Sequence, residues 1–332
     1  MKLKSKAMAA IAAAALMPTS AFCEIHTFTS TAGSSIQGEL VAVSGDSVTI
    51  KATDGRTINT KLASLSEADV SYVKSHELSK TSGPTSPAAA TKESPFVNSL
   101  GMKFVPVPGT QVLFATKLVD VVQFDLYAAE TPSLTAADGG LGGPGVPANE
   151  VSYDQAKGFC EWLSKKESLV YRLPTDREWS FAIGIATLES ATAVPEELDG
   201  KLKGVYPWGS SWPPPNGYAN YCDEAYRDFC KKNGHEGGPH IPGYRDGEYA
   251  ISLTGAFPAN KLGLHDMSGN LMAWCDGWYD KLQTRRFLRG SMWGNAARDD
   301  LLSSSRRELD MGKTTEKDLP SAIRVVLELP KP

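Results

Sequence analysis

Histidine and cysteine, the side chains that most often hold transition metals or attack substrates, are scarce, with five of each in 332 residues. His26, His76, His235, His240 and His265 show no HxxxE, HxD or HExxH spacing, so no metal site of those types is legible. His235 and His240 bracket Glu236, but in a glycine-rich stretch that reads as solvent-exposed loop. No GxSxG elbow, P-loop or dinucleotide fingerprint is present, which removes the templates built on them. Excess positive charge is missing too. Lys and Arg number 34 against 38 Asp and Glu, a net charge of -4, which argues against a phosphate-binding surface and hence against a nucleic-acid partner. The apolar run at residues 7–17 is too short to span a bilayer, and no transmembrane segment is expected.

That run has another reading. Lys2, Lys4 and Lys6 precede it, and Pro18 and a small-residue stretch ending in Cys23 and Glu24 follow. This is the layout of a signal peptide over residues 1–23. Its removal takes three lysines away and moves the net charge from -4 to about -7. An exported protein is expected, periplasmic or extracellular. Acylation at Cys23 is disfavoured, because Ser20-Ala21-Phe22 offers neither the usual leucine nor a small residue before the cysteine. Cys160, Cys222, Cys230 and Cys275 remain, and an oxidising compartment allows them three pairings. Cys222 and Cys230 flank a short loop and are the first candidates for a disulfide. Cys160 and Cys275 lie among apolar residues and read as buried thiols.

Residues 24–78 alternate apolar and polar side chains in four short runs, with Ser44-Gly45-Asp46 and Thr53-Asp54-Gly55 as turns. The pattern is similar to a small all-β SH3-like barrel of the Sla1-homology type, a structural or docking unit without a catalytic residue. Residues 79–95 are rich in Ser, Thr, Pro and Ala without periodicity and read as a solvated linker. A second domain, 96–330, opens on FVNSLGMKFVPVPG. Ser152 and Gln155 form a capping box ahead of Ala156, Phe159, Cys160 and Leu163, which predicts an amphipathic helix. Thr175 and Glu178 form another ahead of Trp179. So few periodic segments predict an irregular α+β fold with much ordered coil.

Residues 262–279, LGLHDMSGNLMAWCDGWY, followed at 286–293 by RFLRGSMW, resemble the signature of the formylglycine-generating-enzyme, or sulfatase-modifying-factor, family: GLYDMxGNVWEWxxDWY, then RVLRGGSW. The opening phrase resembles the family's NSLGMxFVPVPGT, and YRLPTDREW at 171–179 its RLPTEAEWE. The resemblance covers 96 to about 327 and implies that family's variant of the C-type-lectin-like fold. It implies a structural calcium held by the side chains of Asn220 and Asp246 and the carbonyls of Tyr221 and Glu248. A second calcium set around Asp266, Gly269 and Leu271 meets Ala273 where a carboxylate is needed.

The chemistry departs from the family. Its enzymes hold copper with two cysteines after the RGGSW strand, and those positions fall here on Asn295 and Asp300, so copper is not expected. The family's active-site serine meets Met292, beside Ser291. The expected function is therefore a non-catalytic binding or scaffold module for a protein, peptide or glycan. The alternative is an oxygen- or metal-dependent oxidoreductase with a different active site, which requires convergent His, Cys or carboxylate side chains. His265 stands where the family has tyrosine and reads as a packing substitution. Trp274, Trp278, Arg289, Trp293 and Arg306 are the expected ligand-binding residues. Arg285, Arg286, Arg298 and Arg307 cluster with them in sequence. The competing reading pairs these arginines with Asp276, Asp280, Asp299 and Asp300.

Overall fold

The computed structural model describes residues 26–44, 47–53, 56–80, 86–135, 139–140, 143, 145–236, 238–310 and 320–330. The expected signal segment and the turn residues Gly45, Asp46, Asp54 and Gly55 lie outside the described residues. The chain divides into two compact units, Met1–Lys74 and Ser75–Pro332.

In the first unit β1 (His26–Thr29), β2 (Ser35–Ser44), β3 (Ser47–Ala52) and β4 (Thr57–Lys61) form an antiparallel meander in chain order. Because strand side chains alternate between faces, Val48 and Ile50 point the same way and join Phe28, Leu40, Leu65 and Val73 in a small core. Helix α1 (Glu67–Lys80) follows a 3-10 turn at Leu62–Ser64. Its buried Asp69 accepts from Thr29 N at 2.7 Å and from Ser66 Oγ and His26 Nε2 at 2.6 Å, which ties the helix to β1.

The second unit holds β5 (Phe96–Val97), β6 (Lys103–Pro106), β7 (Val112–Ala115), α2 (Val121–Ala129), α3 (Tyr153–Glu167), β8 (Tyr171–Arg172), α4 (Asp176–Ala182), α5 (Pro195–Leu198), α6 (Glu224–Lys232), β9 (Met272–Trp274), β10 (Arg285–Arg289), β11 (Arg306–Asp310), β12 (Ser321–Ala322) and β13 (Val326–Glu328). They make a five-stranded sheet, β5-β6-β7-β13-β8, and a four-stranded one, β11-β10-β9-β12, in which only β12 runs parallel to its neighbour. Both expected capping boxes are present, at the starts of α3 and α4.

Two apolar cores lie on opposite faces of these strands. Leu113 and Ala115 enter the first, Val112 and Phe114 the second; Met272 and Trp274 enter the first, Ala273 and Cys275 the second. A strand buried on both faces must be apolar at every position, which is why VLFA and LMAWC read as unbroken runs. No helix among the described residues is long and apolar enough to cross a membrane.

One expectation gains detail and one is corrected. Within residues 86–95 of the expected linker a 3-10 turn forms at Pro87–Ala89, and Ala90 packs on the first core. Three nearby alanines and a proline can fold onto an apolar surface supplied from elsewhere in the chain, which composition does not reveal. Cys222 and Cys230 are separate thiols. The Cys222 Sγ is turned to the Pro239 carbonyl at 2.8 Å, while the Tyr226 hydroxyl hydrogen-bonds the Cys230 side chain.

Candidate functional site

The loop after β10 is held from beneath. Gly290 (φ +83) starts it; an added Cβ would lie 3.3 Å from Met267 O. Ser291, almost fully buried, shares a hydrogen bond with Ser268 Oγ at 2.8 Å and accepts from Gly269 N at 3.1 Å. Gly269 (φ +82) cannot be replaced cheaply, since its Cβ would fall 2.7 Å from Asn220 O. Asn270, also left-handed at φ +61, receives Trp293 N on its carbonyl and donates its own N–H to Asn220 O. Its side chain exchanges two hydrogen bonds with the Ser252 backbone. The turn residues 268–270 thus lock three distant segments together.

On this base Asn295 Oδ1 accepts from Met292 N at 2.8 Å, and its Nδ2 donates to Asp300 Oδ2 at 3.3 Å. The two positions that the resemblance assigns to copper-binding cysteines therefore do converge. They carry an amide and a carboxylate, hard oxygen donors poorly matched to Cu(I). Beside them the exposed Arg298 lies over the half-buried Trp212 ring, 4.9 Å from its centroid. Trp212 belongs to an aromatic group with Tyr206, Trp208 and Tyr218.

Three expected ligand-binding residues are internal. Trp274 is 0% exposed and donates its indole N–H to Val151 O at 2.8 Å. Arg289 and Arg306, 0% and 3% exposed, converge on Asp176, and Arg306 also reaches Glu189. Arg289 donates further to Ser303 O and Ser180 Oγ. A buried guanidinium needs a carboxylate, and the partners come from 113 and 117 residues away. Burial pushes the Asp176 carboxyl up, but the guanidiniums of Arg289 and Arg306 outweigh it and hold it below the usual carboxylate range. Nothing local marked Asp176 or Glu189 for this role. Trp278 and Trp293 are half-buried, but Trp278 lies under Arg286 and Trp293 meets Tyr226 edge-on at 5.8 Å.

The residues of the expected calcium set lie around a buried carboxylate. Asp223, the N-cap of α6, is fully buried and accepts from Tyr226 N and Asp246 N, bringing Asp246 beside it. Asp246 accepts from Tyr221 N at 2.8 Å and Glu248 N at 2.9 Å. Burial pushes its carboxyl up to about 7, and the neighbouring Asp223 and Glu248 carboxylates add to the effect. The Asn220 amide N–H₂ is spent on Ala250 O and Asn270 Oδ1, leaving Oδ1 without a donor among the described residues. At the second set the buried Arg324 guanidinium donates to the His265 and Asp266 carbonyls. His265 Nδ1 bonds the Phe257 carbonyl at 2.8 Å, a packing contact.

Among the described residues no group of three or more His, Cys, Asp or Glu side chains is placed to hold a metal. Burial pushes the Cys160 and Cys275 thiols well up, and they lie in different cores. A small pocket is lined by Ile183, Tyr218, Phe257, Leu264, Asp266 and Ser268 among others.

The profile of the sulfatase-modifying factor enzyme 1-like domain matches residues 104–327. The inactive C-alpha-formylglycine-generating enzyme 2 of Bos taurus is 31% identical over 173 residues, covering 51% of this chain and 46% of that protein. The formylglycine-generating enzyme of Streptomyces coelicolor is 26% identical over 139 residues, 42% and 34% of the two chains. The chain spans less than half the length of these relatives. The solved structure of PvdO from Pseudomonas aeruginosa is 20% identical, covers 66% of this chain and 80% of its own, and superposes with a TM-score of 0.45.

Proposed function

Because the chain belongs to the sulfatase-modifying factor enzyme 1-like domain family, we propose that it is an exported, non-catalytic member that binds a protein, peptide or glycan instead of oxidising a cysteine. The observation that carries this is the Asn295 Nδ2 to Asp300 Oδ2 hydrogen bond. The side chains at the two positions are close enough to share a ligand, so their replacement removes a thiolate pair as a unit. The relative from Bos taurus, whose name marks it as inactive, supports the same reading. The exposed Arg298 on Trp212, next to that loop, suits a ligand that offers a flat or hydrogen-bonding face. We further propose that the first unit is an SH3-like docking barrel and that the second follows the C-type-lectin-like plan.

A structural calcium fits Asn220, the carbonyls of Tyr221 and Glu248, and the raised carboxyl of Asp246. When bound, calcium supplies positive charge and oxygen coordination that hold the 246–250 loop against residues 220–221. Asp223 works alongside by fixing the Asp246 and Gly247 N–H groups.

The test is an anaerobic Cu(I) titration of the mature chain, followed in air by mass spectrometry of a cysteine-containing peptide incubated with it. We expect no stoichiometric Cu(I) and no aldehyde on the peptide. Copper uptake with peptide oxidation would overturn the proposal. Peptide and glycan arrays then identify the ligand, with Arg298→Gln and Trp212→Ala expected to lower retention.

A further inference from the structure

The strand pair β10–β11 carries five arginines, and the structure sorts them. Arg285 is engaged by Asp280, Glu196 and Glu308, Arg289 by Asp176, and Arg306 by Asp176 and Glu189. Arg286 and Arg307 have no carboxylate within ion-pair distance among the described residues. Both lie on one face of the sheet: Arg286 and Leu288 are two apart on β10, and Leu288 pairs with Arg307. Arg307 is thus the diagonal neighbour of Arg286, about 7–8 Å away along the backbone.

Arg286 is also held in position. Its guanidinium carbon lies 3.4 Å from the Trp278 ring centroid and 4.2 Å from that of Tyr153, and Nη1 donates to Gly277 O at 2.7 Å. Asp276 accepts from the Tyr153 hydroxyl at 2.8 Å and is tied into the cage wall. Two aromatic rings pack against the guanidinium. The remaining in-plane N–H donors of this half-buried group have no partner among the described residues, and a planar carboxylate approaches such a fork in its own plane. Because the side chain is already ordered by stacking, little rotamer entropy remains to be lost on binding.

We propose that Arg286 and Arg307 form a docking face for an acidic peptide segment, one carboxylate entering the Trp278–Arg286–Tyr153 cage and a second reaching Arg307. In an extended peptide, residues two apart project to the same side about 6.6–6.8 Å apart, which matches the diagonal spacing of the two arginines. The proposal stands apart from the reading of the Asn295–Asp300 loop and survives or fails whether or not the chain oxidises thiols.

The experiment is fluorescence anisotropy of a dye-labelled decapeptide of alternating glutamate and serine, against the full mature chain at low salt. A peptide with glutamine in place of glutamate is the control. Saturable binding of the glutamate peptide, weakening with added salt, is expected. The double variant Arg286→Gln/Arg307→Gln is expected to lower affinity tenfold or more, and Arg286→Lys, which keeps charge but not the planar fork, several-fold. Lys261→Gln, at an exposed lysine outside this strand pair, is expected to leave it unchanged. Because Arg307 is exposed, Arg307→Glu tests the face even if replacing Arg286 disturbs folding, and is expected to lower affinity by a similar factor. Equal binding by parent and Arg307→Glu, equal binding of the glutamine peptide, or full displacement by inorganic phosphate at the peptide's own concentration would overturn the proposal.

Discussion

Replacing Asp176 with asparagine probes how far the second unit depends on one carboxylate. Asp176 faces two guanidiniums whose side chains are 0% exposed, with Arg306 Nη2 at 2.8 Å and Arg289 Nη1 also in contact. Arg306 keeps Glu189 after the change. Arg289 keeps only carbonyl and hydroxyl oxygens, so a full positive charge stays buried without a counter-ion. Breaking such a pair from one side costs about 3–5 kcal/mol. In a unit of this size each kcal/mol shifts the melting temperature by about 2–4 °C, so a fall of about 10 °C is expected by calorimetry. Adding Arg289→Met removes the orphaned charge and should recover part of the loss. The sign with pH follows from the depressed Asp176 carboxyl: its contribution is complete above the unfolded value, about pH 4, and is lost as pH falls through the lower folded value. The parent should therefore lose more stability than Asp176→Asn during acidification below about pH 4. A cost under about 1 kcal/mol, with parallel acid limbs, would show that water reaches Arg289 and that the network is not the dry one described.

Purified mature protein is expected to carry calcium at about one equivalent, and Asp246→Asn to abolish it. Since burial raises the Asp246 carboxyl to about 7, the chelated protein should lose stability as pH rises from about 5 to 8. The change expected is about 1–2 kcal/mol, because the carboxylate is partly open to water, and calcium should restore it at pH 8. Unchanged melting with and without chelator across that range would remove the ion from the account. The variant Asn295→Cys/Asp300→Cys should acquire anaerobic Cu(I) binding that the parent lacks; a folded variant that takes up no copper would mean that the two positions do not converge. The four described cysteines should be unreactive to a thiol reagent at pH 8 in the native state and all titrate in denaturant without reductant. Two titrating thiols in denaturant would show a disulfide instead.

Much of the local structure was legible because its causes are local. The Ser152 and Thr175 capping boxes close over three residues, and the period-two pattern of the first unit depends on one strand at a time. The family motifs at 171–179 and 262–293 needed no tertiary knowledge, and the loss of the cysteine pair follows from two positions counted along one strand and loop.

The fate of the arginines and tryptophans was of another kind. Trp274 and Trp278 are four residues apart, yet one is sealed between sheet and helix while the other forms the wall of an open cage. Arg289 and Arg306 look like Arg286 and Arg307 in sequence, and composition cannot say which will meet Asp176 and Glu189 more than a hundred residues away. The sequence by itself determined the family, the main helix starts and the absence of a thiolate pair, because residue identity and short spacing settle each. Only the tertiary structure decided which charges are spent inside and which stay at the surface without a counter-ion among the described residues, because burial and counter-ions are properties of the packed chain.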